Sequence, residues 1–371
     1  MTIFAAALLV AFSNWPGAST IRPAPKTYAF DRPMFVAEAL PLVPQFTLDF
    51  NASEQAPPVL DESQTRLYLS MHDGSVRCRM NGKFSWIWRG HGAVLAAPLI
   101  DGETLYVAGG DGILTALNRI TGAVRWQLDV KEELLTTPTL ANGRLFVMSS
   151  EESVTAVDAE TGKSLWRYHR DRPAGFTLRG EARPVLSHGI LYAGFADGTV
   201  ASLRPEDGVA RWTRNISGNG EYLDIDSIAG AEDDDRIYAA SAKAGLIALN
   251  YNTGETVWEF ALAGSNHVAL DGPRVYVTGR GAIVGLDRRH GKEIWRANLA
   301  REAFAGQPVP MGGLLLVTED HSSLIALDPA TGRARANFNP GSGFSQSVCA
   351  VPGAAFIISN DGTLFSLGLL P

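Results

Sequence analysis

Six times along this chain a glycine stands four residues before a tryptophan: Gly82/Trp86, Gly122/Trp126, Gly162/Trp166, Gly208/Trp212, Gly254/Trp258 and Gly291/Trp295. The same spacing lands on Gly332 and Ala336, a seventh unit without its tryptophan. From one such position to the next the step is 37 to 46 residues, which suits four short strands per unit. In the unit from Pro138 to Tyr168, the apolar runs Leu145–Met148 and Val154–Val157 are followed by a strand beginning Ser164-Leu165-Trp166. Asn142-Gly143 and Thr161-Gly162 stand between them and supply the positive-φ positions that hairpins require. A chain of such units cannot bury its sheets singly. It must stack them, and a closed ring leaves only short, protected edges.

The number of units follows from the ends of the chain. The last unit, from about Gln346, holds Ala355–Ile358 and Thr363-Leu364-Phe365 but stops before any outer strand. Trp86 and Trp126 precede a unit-opening proline, Pro98 and Pro138, by twelve residues. Counted back from Pro58, that ruler reaches Phe46, in the strand-like segment 45–50. The expectation is an all-β, eight-bladed β-propeller of four-stranded blades. Its last blade is closed by an N-terminal strand, taken as 45–50.

Residues 43–371 are assigned to the propeller. Residues 1–20 are the targeting candidate, because Ile3 to Phe12 is an apolar stretch of signal-core length, too short to span a bilayer. Residues 21–42, with Pro23, Pro25 and Pro33, read as an extended linker. A net charge of −7 with no strong basic cluster disfavours nucleic acid as a partner. The two cysteines, Cys78 and Cys349, fall in neighbouring blades of the ring and read as buried thiols, with a disulfide geometrically conceivable. Neither closely follows the apolar stretch, so no lipid-attachment cysteine is assigned. No zinc spacing is present, and no metal or cofactor site is expected. The scattered histidines, at turns and strand ends, read as surface residues rather than bases. Each tryptophan is expected to fill the wedge between adjacent blades. Asp111-Gly112, Asp197-Gly198 and Asp361-Gly362 are expected to be hairpin turns.

The pattern Ala-Leu-Asp/Asn-x-x-Thr-Gly-x-x-x-Trp, carried by Ala116–Trp126, Ala156–Trp166 (with Val157) and Ala248–Trp258, resembles the repeat of pyrroloquinoline-quinone-like propellers. That resemblance covers about residues 45 to 370 and implies the fold more than the activity. The quinone dehydrogenases of that superfamily are the enzyme alternative. They resemble this chain in repeat, but they hold a calcium ion beside the cofactor, and many carry a disulfide between adjacent cysteines. Here there is no adjacent cysteine pair and no assignable calcium constellation, so a non-enzymatic role is expected. A generic envelope scaffold or sensor is the other alternative.

The repeat is broken most at two connections, 167–182 and 213–228, which leave successive blades on the same side of the ring. Side by side, they present Phe176 and Leu178 as apolar anchors and Arg179 as a bidentate donor. Asp224 and Asp226 supply acceptors on one side of an extended segment. Arg179 pairing with either aspartate to tie the loops together is a compatible structural reading. Leu178-Arg179-Gly180-Glu181, followed one blade later by Asp224-Ile225-Asp226-Ser227, resembles the BamB family of outer-membrane assembly propellers. The resemblance implies a periplasmic scaffold associated with the outer membrane. It also implies that Phe176, Leu178, Arg179, Asp224 and Asp226 dock on the periplasmic repeat domains of a BamA-like barrel-forming subunit. Unfolded outer-membrane clients, adding strands at blade edges, are a further implied partner.

Overall fold

The computed structural model describes residues 34–42, 56–171, 182–218, 223–299, 303–320 and 322–369. These build eight four-stranded antiparallel sheets: 59–89, 99–129, 139–169, 185–215, 227–260, 267–298, 309–338, and 349–369 joined by 34–41. They are blades one to eight of a β-propeller, and within blades one to seven the strands run in chain order from the axis outward. The second and third strands, such as Thr104–Ala108 and Ile113–Asn118, are buried almost along their whole length. Neighbouring blades cover both of their faces, which is why they read as continuous apolar runs. The outer strand reaches the perimeter and alternates instead, as Val124–Asp129 does.

The glycine–tryptophan spacing is an interblade clamp. In blade three, Asp158 Oδ1 accepts the Thr161 N–H at 2.8 Å, and Gly162 N donates to the Asp158 carbonyl at 2.9 Å. The turn leaves Gly162 at φ +72°, and a methyl there would fall 2.5 Å from the Trp126 ring of blade two. Trp126 Nε1 and the Tyr106 hydroxyl of blade two both donate to the Ala159 carbonyl of the same turn, each at 3.1 Å. The two rings pack against each other at 5.9 Å between centroids. The arrangement recurs between blades four and five, where Tyr192 and Trp212 share the Tyr251 carbonyl. Each of the six tryptophans in that spacing therefore fills the wedge between blades, as the fixed spacing implies.

Blade eight is closed by the N-terminal segment, but the closing strand is Met34–Pro41, antiparallel to Thr363–Leu369. It lies inside the stretch read as linker, and residues 45–50 lie outside the described residues. The ruler failed because it assumes the ordinary connection length, whereas the segment from Pro41 to Val59 is longer. Glu38 pairs with Ser366 beside a register shift, the position Trp126 takes opposite Ala116 in blade two. Instead of an indole, the seam carries a buried ion pair: Arg79 Nη1 of blade one donates to Glu38 Oε2 at 2.7 Å. Arg79 Nη2 also bonds Glu38 Oε1 and reaches the Gly82 carbonyl at 3.1 Å.

The missing tryptophan of blade seven has the complementary cause. In blade eight the third and outer strands come from opposite ends of the chain, so no turn joins them to receive an indole. Ala336 stands in that place, and Phe338 packs instead on Phe344 and Phe365, at 6.1 and 5.0 Å.

Candidate docking surface

Because the strands alternate in direction, the turns between second and third strands emerge at the same end of the ring as the connections to the next blade. Both long connections are at this end. Phe176, Leu178 and Arg179 lie outside the described residues; the ends that hold their segment do not.

The first connection leaves blade three through Arg170. Its N–H donates to the Glu152 carbonyl at 3.1 Å, and its guanidinium crosses to blade four. There Arg170 Nε donates to Asp197 Oδ2 at 3.1 Å and Nη2 to Thr199 Oγ1 at 3.2 Å, with the guanidinium 5.7 Å from the Phe195 ring centroid. The hydrogen bonds to Asp197 hold the guanidinium pKa above the usual arginine value, despite opposition from burial. The connection re-enters at the buried Ala182. The second connection returns through Leu223, Asp224 and Ile225, all buried. Ile225 N donates to the Phe195 carbonyl at 3.2 Å, and Ser217 and Ser241 share a hydrogen bond at 3.0 Å beneath the segment.

The two connections meet over Gly194 on the second strand of blade four. A methyl there would stand 2.6 Å from Ile225 Cβ and 3.1 Å from Ala182 Cβ, so only glycine lets both segments seat. Ala182 and Ile225 belong to one buried cluster with Tyr192 and Ile228. The described ends of the two connections are thus side by side, as the topology requires.

The two aspartates differ from each other. Asp226 is half-buried, and its Oδ2 accepts the Ala242 N–H at 3.0 Å while its own N–H donates to the Ala240 carbonyl. Asp224 is 1% exposed. Alternation placed them on one side of the segment, but burial separates them, with Asp226 nearer the surface.

Two supporting residues were not linked to this surface by the sequence. Asp197 is a turn residue, accepting the Thr199 N–H at 2.9 Å, but it also anchors Arg170. Glu152 takes a left-handed conformation, φ +59°, where equivalent turns have Gly112 or Gly198. Its Oε2 accepts the Ala196 N–H at 2.8 Å, tying blade three to the Phe195 turn. The legible signal was a turn lacking its glycine at Ser150-Glu151-Glu152.

Elsewhere, Cys78 is buried and Cys349 partly buried, both as free thiols. His267 is half-buried rather than fully exposed: it opens the inner strand of blade six, and burial pushes its pKa down to about 4. Among the described residues no group of three or more His, Cys, Asp or Glu side chains is placed to hold a metal ion.

The family model described as outer membrane protein assembly factor BamB matches residues 68–278 and 242–356, most of the propeller. The chain belongs to the BamB family. The BamB of Shewanella oneidensis is 31% identical over 65% of this chain and 62% of its own length. The BamB of Yersinia pestis is 25% identical over 77% and 75%. The chain thus spans less than two thirds of the first relative and about three quarters of the second. Among solved structures, BamB from Moraxella catarrhalis superposes with a TM-score of 0.78 at 20% identity, covering 91% of this chain and all of that one. The quinohemoprotein alcohol dehydrogenase of Comamonas testosteroni superposes at 0.70 with 14% identity, over 86% and 76%. Both structural likenesses concern the fold.

Proposed function

We propose that this chain is a non-enzymatic scaffold of the outer-membrane β-barrel assembly machinery, acting at the periplasmic side of the outer membrane. It docks through its two long connections on the periplasmic repeats of a BamA-like barrel-forming subunit. The observation that supports this most is the convergence of both connections on Gly194 and the Phe195 turn, within a chain of the BamB family. The close packing at Gly194 fixes where these segments leave the ring.

In this reading Phe176 and Leu178 are the apolar anchors, and Arg179 is the charged donor. Asp226 is the acceptor nearest the surface, and the buried Asp224 acts by positioning its segment. A desolvated charge pair at an interface costs roughly 2–5 kcal/mol when one partner is truncated. The test is co-purification from detergent-solubilised outer membranes, comparing wild type with Arg179→Glu/Asp226→Arg. Recovery of the barrel-forming subunit by wild type and its loss in the double variant are expected. Equal recovery by both would refute docking through these connections.

A further inference from the structure

The inner rim of the ring, beside the two connections, carries an arginine with no counter-charge among the described residues. Arg183 directly follows Ala182, where the first connection ends. Its Nε donates to Thr139 Oγ1 at 3.0 Å and its Nη2 to the Pro138 carbonyl at 3.0 Å, both on the inner edge of blade three. Thr139 is itself fixed, its hydroxyl donating to the Pro184 carbonyl. The guanidinium is therefore held in one orientation by neutral acceptors. Among the described residues its remaining donors meet no acceptor, and the residue is exposed at the rim.

Register shows what shares this level. Val185 pairs with Tyr192, Ala229 with Tyr238, Ala269 with Tyr276 and Val309 with Leu316. Two residues before each paired position stand Arg183, Ser227, His267 and Gln307. The other four blades place Pro57, Ala97, Thr137 and Ser347 there. None is acidic. The next level down is largely apolar, with Val59, Leu99, Val185 and Val309.

Four described carboxylates on this end of the ring have other partners. Glu152 takes Ala196 N–H, Asp197 takes Arg170, Glu132 takes Ser149 and Arg167, and Asp226 takes Ala242 N–H. Partial desolvation pulls the Arg183 pKa below the usual arginine value, with no charge to oppose it. His267 is neutral at pH 7 and does not compete for an anion. A fixed cation without a carboxylate costs desolvation energy that a ligand's negative charge would return.

We infer that Arg183 is an additional docking residue, which receives an acidic side chain of the same protein partner at the rim of the channel. This rests on the docking reading above, because Arg183 is joined to the first connection through Ala182 and faces the same side. The bidentate fork of the guanidinium suits a carboxylate. The apolar level below suits the methylenes of a glutamate better than a hydrated inorganic anion.

The test is titration calorimetry of the purified full chain with the purified periplasmic repeats of the barrel-forming subunit, at about 50 mM and about 300 mM salt. Arg183→Met should weaken binding about tenfold or more, and Arg183→Glu further. Arg183→Lys, which keeps the charge, should recover part of the loss. The affinity of wild type should fall more steeply with salt than that of Arg183→Met. An acidic-to-arginine change on the repeats that restores binding to Arg183→Glu would identify the carboxylate. Wild-type affinity for Arg183→Met, alongside binding abolished by Arg179→Glu, overturns this inference alone. No binding by wild type overturns the docking reading with it. Thermal unfolding of each variant keeps a folding defect from passing as lost affinity, and Arg183→Lys remains informative if Arg183→Met is unstable.

Discussion

At the residue scale, the clamp glycines can be separated from ordinary turn glycines. Gly143 and Gly162 share φ +72°, but a methyl on Gly143 meets nothing within 4 Å, whereas one on Gly162 strikes Trp126. Gly143→Ala should cost only the left-handed backbone penalty, about 1–2 kcal/mol. Gly162→Ala should cost that plus displacement of the indole, about 1–3 kcal/mol more. Urea unfolding of the two variants measures the difference; equal losses would remove the clamp from the account. His267 gives a second prediction. Its folded pKa is about 4, below the ordinary imidazole value, so the unfolded chain takes up the proton first as pH falls. Stability should therefore be constant above about pH 6.5, decline by up to about 3 kcal/mol toward pH 4, and level off below. His267→Gln should flatten that part of the pH profile.

At the scale of the element, the seam between the ends of the chain is the departure from repetition. Glu38 and Arg79 are both buried, so removing one leaves the other charge uncompensated. Glu38→Ala should cost about 3–5 kcal/mol, while Glu38→Leu/Arg79→Met should recover most of that loss. Equilibrium unfolding of the three proteins decides it, and a double variant no better than the single one would contradict the pairing. The same substitution explains what the sequence hid. Seven outer-strand positions were found with the glycine ruler, because the turn and the indole constrain each other across blades. The eighth carries Glu38, with Met34 rather than a glycine four residues before it. It could be recognised only through its partner Arg79 in the next blade. The pair of long connections was legible because it breaks the repeat length. The burial of Asp224 was not, since alternation along a strand says which side a residue takes but not how deeply the next turn covers it.

At the scale of the molecule, the ring carries its two longest connections at one end. Arg170, Glu152 and Ile225 tie three consecutive blades to the Phe195 turn. A partner gripping the two connections therefore engages blades three to five as a unit. The perimeter, where outer strands such as Val124–Asp129 alternate in exposure, should be dispensable for this contact. The most direct measurement is photo-crosslinking in intact cells with benzoylphenylalanine placed at Leu178, at Asp226, or at Val124 on the perimeter. Crosslinks to the barrel-forming subunit from the first two positions, and none from Val124, are predicted. Crosslinks from Val124 alone, or equally from all three, would contradict docking through the two connections.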